Sequence, residues 1–160
     1  MKTSDLLGNE WEYECMGCAI SDQSMSVPGG FICQTQYFCV HQDPLIPLEG
    51  FLVIASRRHI QSISEMNNVE YQELSILIRN TQAAIKTATQ IRYLTIVQEE
   101  SSMHFHLWFF PWTQSVLAQY GKPSLTKIRD IMVDLRKQPI DQARWKELKE
   151  SIEKIKALMA

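Results

Sequence analysis

From Ser102 to Pro111 the chain reads Ser-Met-His-Phe-His-Leu-Trp-Phe-Phe-Pro, with polar and apolar side chains in alternation. Successive side chains of a β-strand point to opposite faces. The spacing therefore predicts one apolar face of Met103, Phe105, Leu107 and Phe109, and a second face of Ser102, His104, His106 and Trp108. A neutral imidazole serves near pH 7 as nucleophile, metal ligand or proton carrier, and two on one face offer two of these roles to a single ligand. The bland alternative is a half-exposed strand surface without chemistry. A second reactive pair is Cys15-Met16-Gly17-Cys18, two of the four cysteines, the others being Cys33 and Cys39. No export signal is evident, so the cysteines read as thiols or metal ligands rather than structural disulfides. For Cys15 and Cys18 a metal site, a redox pair and two unremarkable thiols all stay open. The redox reading ranks lower because no strand-to-helix thioredoxin pattern surrounds them.

The elements that position these residues follow from pattern. Residues 1 to 14 read as an N-terminal arm or short helix. Pro28-Gly29-Gly30 predicts a turn, and the runs Phe31–Cys33 and Phe38–Val40 predict a hairpin of two short strands. Breaks at Asp43-Pro44 and Pro47-Leu48-Glu49-Gly50 precede Phe51-Leu52-Val53-Ile54-Ala55, a continuous apolar run expected as a central strand. Tyr71, Leu74, Leu77, Ile78, Thr81, Ile85 and Ala88 recur at helical spacing after Asn67, and Asn67 with Glu70 resembles a capping box. Two more strands are expected, Tyr93–Val97 and His104–Phe110, paired antiparallel. Two tail helices are marked by Leu125, Ile128, Met132 and Leu135, then by Trp145, Leu148, Ile152, Ile155 and Met159, with Pro139 between them. The fold class is α+β, a mostly antiparallel sheet with a packed helix and a C-terminal helical extension.

From Cys15 to Pro111 the sequence resembles the histidine triad family, whose signature alternates three histidines with apolar residues and often ends in proline. His104-Phe105-His106-Leu107-Trp108-Phe109-Phe110-Pro111 matches at the first two histidines, the apolar positions and the proline, with Trp108 in the third place. Gly50-Phe51-Leu52-Val53-Ile54-Ala55-Ser56-Arg57-Arg58-His59 is similar to the family's upstream segment, with Phe51 replacing its first histidine. The resemblance implies that Asp43 contacts ribose hydroxyls, that Ser101, with Ser102 beside it, contacts phosphate, and that Trp108 borders the nucleotide. It also implies that Cys15, Cys18, His59 and His104 hold zinc. Two thiolates and two imidazoles form a closed tetrahedral set, the kind expected of structural zinc. His106 would be the nucleophile, attacking an α-phosphate to give a nucleotidyl-histidine. The residues divide into a nucleotide-binding domain over 1–120 and a C-terminal helical extension of that domain over 121–160.

Trp108 offers one N–H donor and no useful acid, so three functional readings stay open. They are hydrolysis of a nucleoside phosphoramidate or dinucleoside polyphosphate, nucleotidyl transfer or phosphorolysis, and nucleotide binding with little or no turnover. Glu99 and Glu100 read as solvated loop acids, Arg57, Arg58 and His41 as surface groups, and Trp112 and Trp145 as packing or rim residues. The partners that the resemblance implies are a purine nucleotide or dinucleoside polyphosphate and a second copy of the chain. With 160 residues, 45% hydrophobic and 21% charged, the composition excludes wholesale disorder. A net charge of −2 leaves no electrostatic footprint for nucleic acid or an acidic membrane surface. The start Met1-Lys2-Thr3-Ser4-Asp5 lacks a basic, apolar leader, which gives a cytoplasmic expectation.

Overall fold

The computed structural model describes residues 1–137 and 140–160. The N-terminal arm is a small hairpin, β1 (Lys2–Ser4) paired with β2 (Glu10–Glu12), and holds no helix. Its turn is built by Asp5, whose Oδ1 accepts the amides of Leu7 and Asn9 while Oδ2 accepts the Trp11 indole N–H at 2.9 Å. A short helix, α1 (Met16–Ser21), follows.

The main sheet contains β3 (Phe31–Gln34), β4 (Phe38–Gln42), β5 (Leu52–Ser56), β6 (Leu94–Gln98) and β7 (His106–Pro111). Its order is β3-β4-β5-β7-β6 with every neighbouring pair antiparallel, so the apolar run at 52–56 is the central strand, as its composition requires. Gly50 makes the entry to β5 possible. Its φ is +76°, and an added Cβ would stand 2.7 Å from Ile91 Cδ1.

Both faces of the sheet are covered. On one, Phe38, Val40, Leu52, Ile54, Leu107 and Phe109 pack beneath α2 (Asn68–Ala88) and α5 (Gln142–Met159), which contribute Leu74, Leu77, Ile85, Leu148, Ile152 and Ile155. The capping box at Asn67 and Glu70 is present in both directions. The helical stripe is rotated slightly from the expected one, because Tyr71 is exposed while Glu70 is buried and turned inward.

On the other face, β5 and β7 meet α3 (Gln114–Tyr120) and α4 (Ile128–Arg136) through Phe51, Phe110, Trp112, Val116, Ile128, Ile131 and Leu135. Cys39, Val53 and Ala55 meet Ala19, Ile20, Met25 and Val27, with Trp11 and Tyr13 of the arm packed alongside. Helix α3 carries only Val116 as a fully buried residue, too little period to read, and Thr113 caps it. Leu125, assigned to the α4 stripe, is exposed on a 3-10 turn. The break expected at Pro139 lies outside the described residues. Trp112 is buried and Trp145 packs on the α2 side of the sheet, so both serve packing. No helix among the described residues is long and apolar enough to cross a membrane.

Candidate metal centre and nucleotide site

The strand expected over His104–Phe110 runs over His106–Pro111, and the residues before it do something different from alternation. Ser102 lies on a 3-10 turn, Met103 is left-handed at φ +68°, and Phe105 donates its amide to Ile60. Met103 is exposed, so it has no place on an apolar face. His106 and Trp108 alone share the predicted polar strand face, and His104 is released to face elsewhere.

His104 faces Cys15, Cys18 and His59, whose ligand atoms all lie within 4.8 Å of one another. Cys15 caps α1 and Cys18 sits one turn on, which turns both sulfurs to the same side. Cys15 Sγ is 3.6 Å from His59 Nδ1 and 3.3 Å from His104 Nδ1, while Cys18 Sγ is 3.1 Å and 3.6 Å from the same atoms. The two Nδ1 atoms are 3.3 Å apart. A zinc tetrahedron with ordinary bond lengths has edges of about 3.6 Å from sulfur to nitrogen and about 3.3 Å between nitrogens. The four residues therefore fit a structural zinc.

The surroundings prepare each ligand. His104 Nε2 donates to the Ser56 carbonyl at 2.8 Å, which bares Nδ1 toward the thiols, as an outer partner of a metal-bound histidine does. Burial lowers the His104 pKa, keeping the ring neutral at pH 7. Burial, then the neighbouring Cys15, pushes the Cys18 thiol up to about 11, so a cation is what allows both thiolates together. His59 is exposed but follows Arg58, which holds Glu70 through two hydrogen bonds at 3.1 and 3.0 Å and also reaches the Glu65 carbonyl. Arg58 is thus a structural tie and no free surface cation, and Arg57 Nη1 donates to the Thr35 carbonyl. Gly17, between the two cysteines, lies flat against the His104 ring. All four cysteines are free, and burial raises the Cys39 thiol to about 11, which leaves it inert.

On the adjoining face, His106 is half-buried, and its Nδ1 donates to the His104 carbonyl at 3.1 Å. That bond selects the tautomer in which Nε2 carries the lone pair. Asp43 lies within electrostatic reach of His106 and Arg136, and its Oδ1 accepts the amides of Leu45 and Ile46 at 2.8 Å each. Burial raises the Asp43 pKa. Trp108 stands edge-to-face on Phe51 with centroids 5.4 Å apart.

His41, read as a surface group, is instead buried at 2% exposure, because β4 is covered on both faces. Its Nδ1 donates to the Gln42 carbonyl, and burial holds its pKa down at about 4. Ser102 directs its hydroxyl to the carbonyls of Glu99 and His104, and Ser101 is exposed. Glu99 pairs with Arg129 of α4 at 3.0 Å and Glu100 accepts from Ser62 at 2.6 Å, so both acids are turned outward. The residues that sequence reasoning missed are Gly17, Ser56 and Arg129. Only Gly17 carried a signal, as the small residue between two cysteines.

Neither a family model nor a curated protein matches this sequence. Solved structures do match. A hypothetical histidine triad nucleotide-binding protein from Sulfolobus tokodaii aligns over 90% of this chain and 93% of its own, with a TM-score of 0.63 and 17% identity. A Hit-like protein involved in cell-cycle regulation from Bartonella henselae aligns over 92% and 98%, at 0.62 and 13%. A zinc-bound histidine triad family protein from Mycobacterium smegmatis aligns over 90% and 96%, at 0.61 and 13%. The chain has the histidine triad fold, and its Cys15, Cys18, His59 and His104 cluster accords with the zinc named for the mycobacterial protein.

Proposed function

We propose that the protein is a nucleotide hydrolase that acts at an α-phosphate through a nucleotidyl-His106 intermediate. The observation that carries the reading is the His106 Nδ1–H bond to the His104 carbonyl, which leaves Nε2 as the free nucleophilic atom on the sheet face. In the first step Nε2 forms a bond to phosphorus as the bond to the leaving group breaks. In the second, water displaces the imidazole. Splitting the transfer this way replaces one difficult displacement by two easier ones. Asp43 is the ribose contact in this reading, Trp108 flanks the leaving group, and Ser101 supplies a donor for phosphate from the exposed loop. Cys15, Cys18, His59 and His104 would hold the zinc, which would tie α1 to the segment that leads into β7 in a structural role.

Residues 1–120 form the nucleotide-binding portion and 121–160 the extension, whose α4 walls the Trp108 side. A cytoplasmic homodimer is part of the proposal. Exposed Val69, Tyr71 and Ile76 on α2, with Ile96 on the edge strand β6, are in keeping with a second copy covering them. A different acceptor resolving the same intermediate would make the protein a nucleotidyltransferase or phosphorylase. The second reading, a binding protein with little turnover, is favoured by Trp108 in place of a proton donor.

The test is incubation with adenine and guanine dinucleotides labelled at the α-phosphate, followed by acid-free trapping of protein. Label on the wild type and none on His106→Ala supports the chemistry. Tight nucleotide binding with neither label nor product supports the binding reading.

A further inference from the structure

We infer that Cys15 and Cys18 form a thiol–disulfide exchange site, at which a small carboxylate-bearing peptide disulfide oxidises the pair to a Cys15–Cys18 disulfide and frees the metal. The inference goes beyond the nucleotide reading and does not depend on His106.

The pair is already arranged to bond. Cys15 is the N-cap of α1 and Cys18 stands three residues on, across one helical turn. Cα atoms so placed are about 5 Å apart, inside the range that a disulfide spans. The two sulfurs lie within 4.8 Å of each other, so side-chain rotation brings them to bonding distance. Cys33 and Cys39 form no equivalent pair, because one packs on the α2 and α5 side of the sheet and the other on the opposite side. Cys39 is also fully buried, whereas Cys15 and Cys18 are part-exposed.

Access decides which sulfur reacts first. Cys18 lines a shallow, open depression together with Asp22, Gln36, Arg57 and Arg58, and Cys15 stands outside it. Arg58 is held by Glu70 at 3.0 Å, and Asp22 accepts the Ser24 amide at 2.9 Å. Arg57 is exposed, and among the described residues its guanidinium gives one hydrogen bond, from Nη1 to the Thr35 carbonyl. The rest of that fork can meet a carboxylate on an incoming disulfide. Behind the pair, His104 stays bonded to the Ser56 carbonyl at 2.8 Å and His59 is exposed. Once the sulfurs bond to each other, two neutral imidazoles remain, too few ligands for a structural zinc site.

The exchange balances in two displacements. The Cys18 thiolate attacks one sulfur of the external disulfide. A bond from Cys18 Sγ forms, the external S–S bond breaks, and the first external thiolate leaves with the electron pair. The Cys15 thiolate then attacks Cys18 Sγ, the Cys15–Cys18 bond forms, and the second external thiolate leaves. Two electrons have passed from the protein pair to the external disulfide, which is reduced to two thiols. No proton changes hands at the protein sulfurs, because metal ligands are already thiolates.

The experiment uses the full-length, zinc-loaded protein with oxidised glutathione as the probe. Zinc release is followed with a chromogenic chelator, and the thiols by intact mass and peptide mapping. One zinc is expected to leave for each Cys15–Cys18 disulfide formed, and a dithiol reductant with added zinc should restore the starting state. Cys15→Ser should halt at a mixed disulfide on Cys18, whereas Cys18→Ser should form one on Cys15 about tenfold more slowly. Arg57→Gln should slow oxidation by glutathione disulfide about tenfold and leave oxidation by neutral hydroxyethyl disulfide unchanged. Zinc retained with both thiols intact overturns the inference, as does a disulfide or adduct mapped only to Cys33 or Cys39. Equal response of the two disulfides to Arg57→Gln overturns the choice of an anionic peptide as the oxidant. Mapping of the wild type decides the matter even where a serine variant fails to hold zinc.

Discussion

Gly17 lies so close to the His104 imidazole that a methyl group in its place would stand 2.7 Å from Nε2, inside any tolerable contact. The ring is held in place because the same Nε2 donates to the Ser56 carbonyl. Gly17→Ala is therefore expected to tilt His104 out of the ligand tetrahedron. Zinc affinity, read by competition with a chromogenic chelator, should fall by about 10- to 100-fold, as when an outer partner of a ligand is lost. Unchanged affinity would mean that the ring position is not set by this contact.

Metal content offers a direct measurement. Protein purified without chelator is expected to carry about one zinc per chain, and Cys18→Ser or His59→Ala to carry far less, with a lower Tm. Because β5, β7 and α2 owe their packing to apolar residues away from the cluster, the far-ultraviolet circular dichroism of the apo protein should stay near that of the wild type. Collapse of all secondary structure on chelation would show that the metal does more than brace α1.

The Arg58–Glu70 pair gives a pH-dependent signature. The guanidinium holds the buried Glu70 carboxylate below its usual range. A carboxylate whose native pKa is lowered adds stability above its unfolded pKa and loses it as the pH falls through the native value. The Tm difference between wild type and Arg58→Ala should accordingly be full at neutral pH and shrink in acid below the ordinary glutamate range. A difference independent of pH would assign the effect to packing of the arginine stem.

His41 predicts acid sensitivity of a different origin. Its native pKa of about 4 lies below the ordinary 6.5, so the unfolded chain binds the proton first and stability declines as pH falls between those values. The loss is on the order of 3 kcal/mol for a shift of this size. His41→Phe, which keeps a ring beside Phe31, should remove that part of the decline in urea titrations at pH 7 and pH 5. Equal slopes for the two proteins would refute it.

What was readable in the sequence was whatever depends on near neighbours or on a long periodic pattern. The Asn67–Glu70 box sits within four residues, and the run at Leu52–Ser56 is apolar throughout because β5 is buried on both faces. The zinc ligands were legible as a set through family resemblance, since their meeting depends on α1 reaching residues 41 and 89 positions away. The hidden features depend on such distant partners without a pattern of their own. Burial of His41 needs the covered sheet face, the Asp5 hairpin turns on a side chain that looks like any surface acid, and the end of alternation before His106 comes from one left-handed residue, Met103.

His104 presents its ring to the thiols and its carbonyl to the His106 proton, so one residue joins the metal ligands to the imidazole proposed as nucleophile. Oxidants that cap Cys15 or Cys18 would strike the anchorage alone, and under the proposed reaction the damage would register as a mis-aimed His106 in a molecule whose strands still stand. Activity, on that proposal, would gauge thiol health through aim rather than through unfolding.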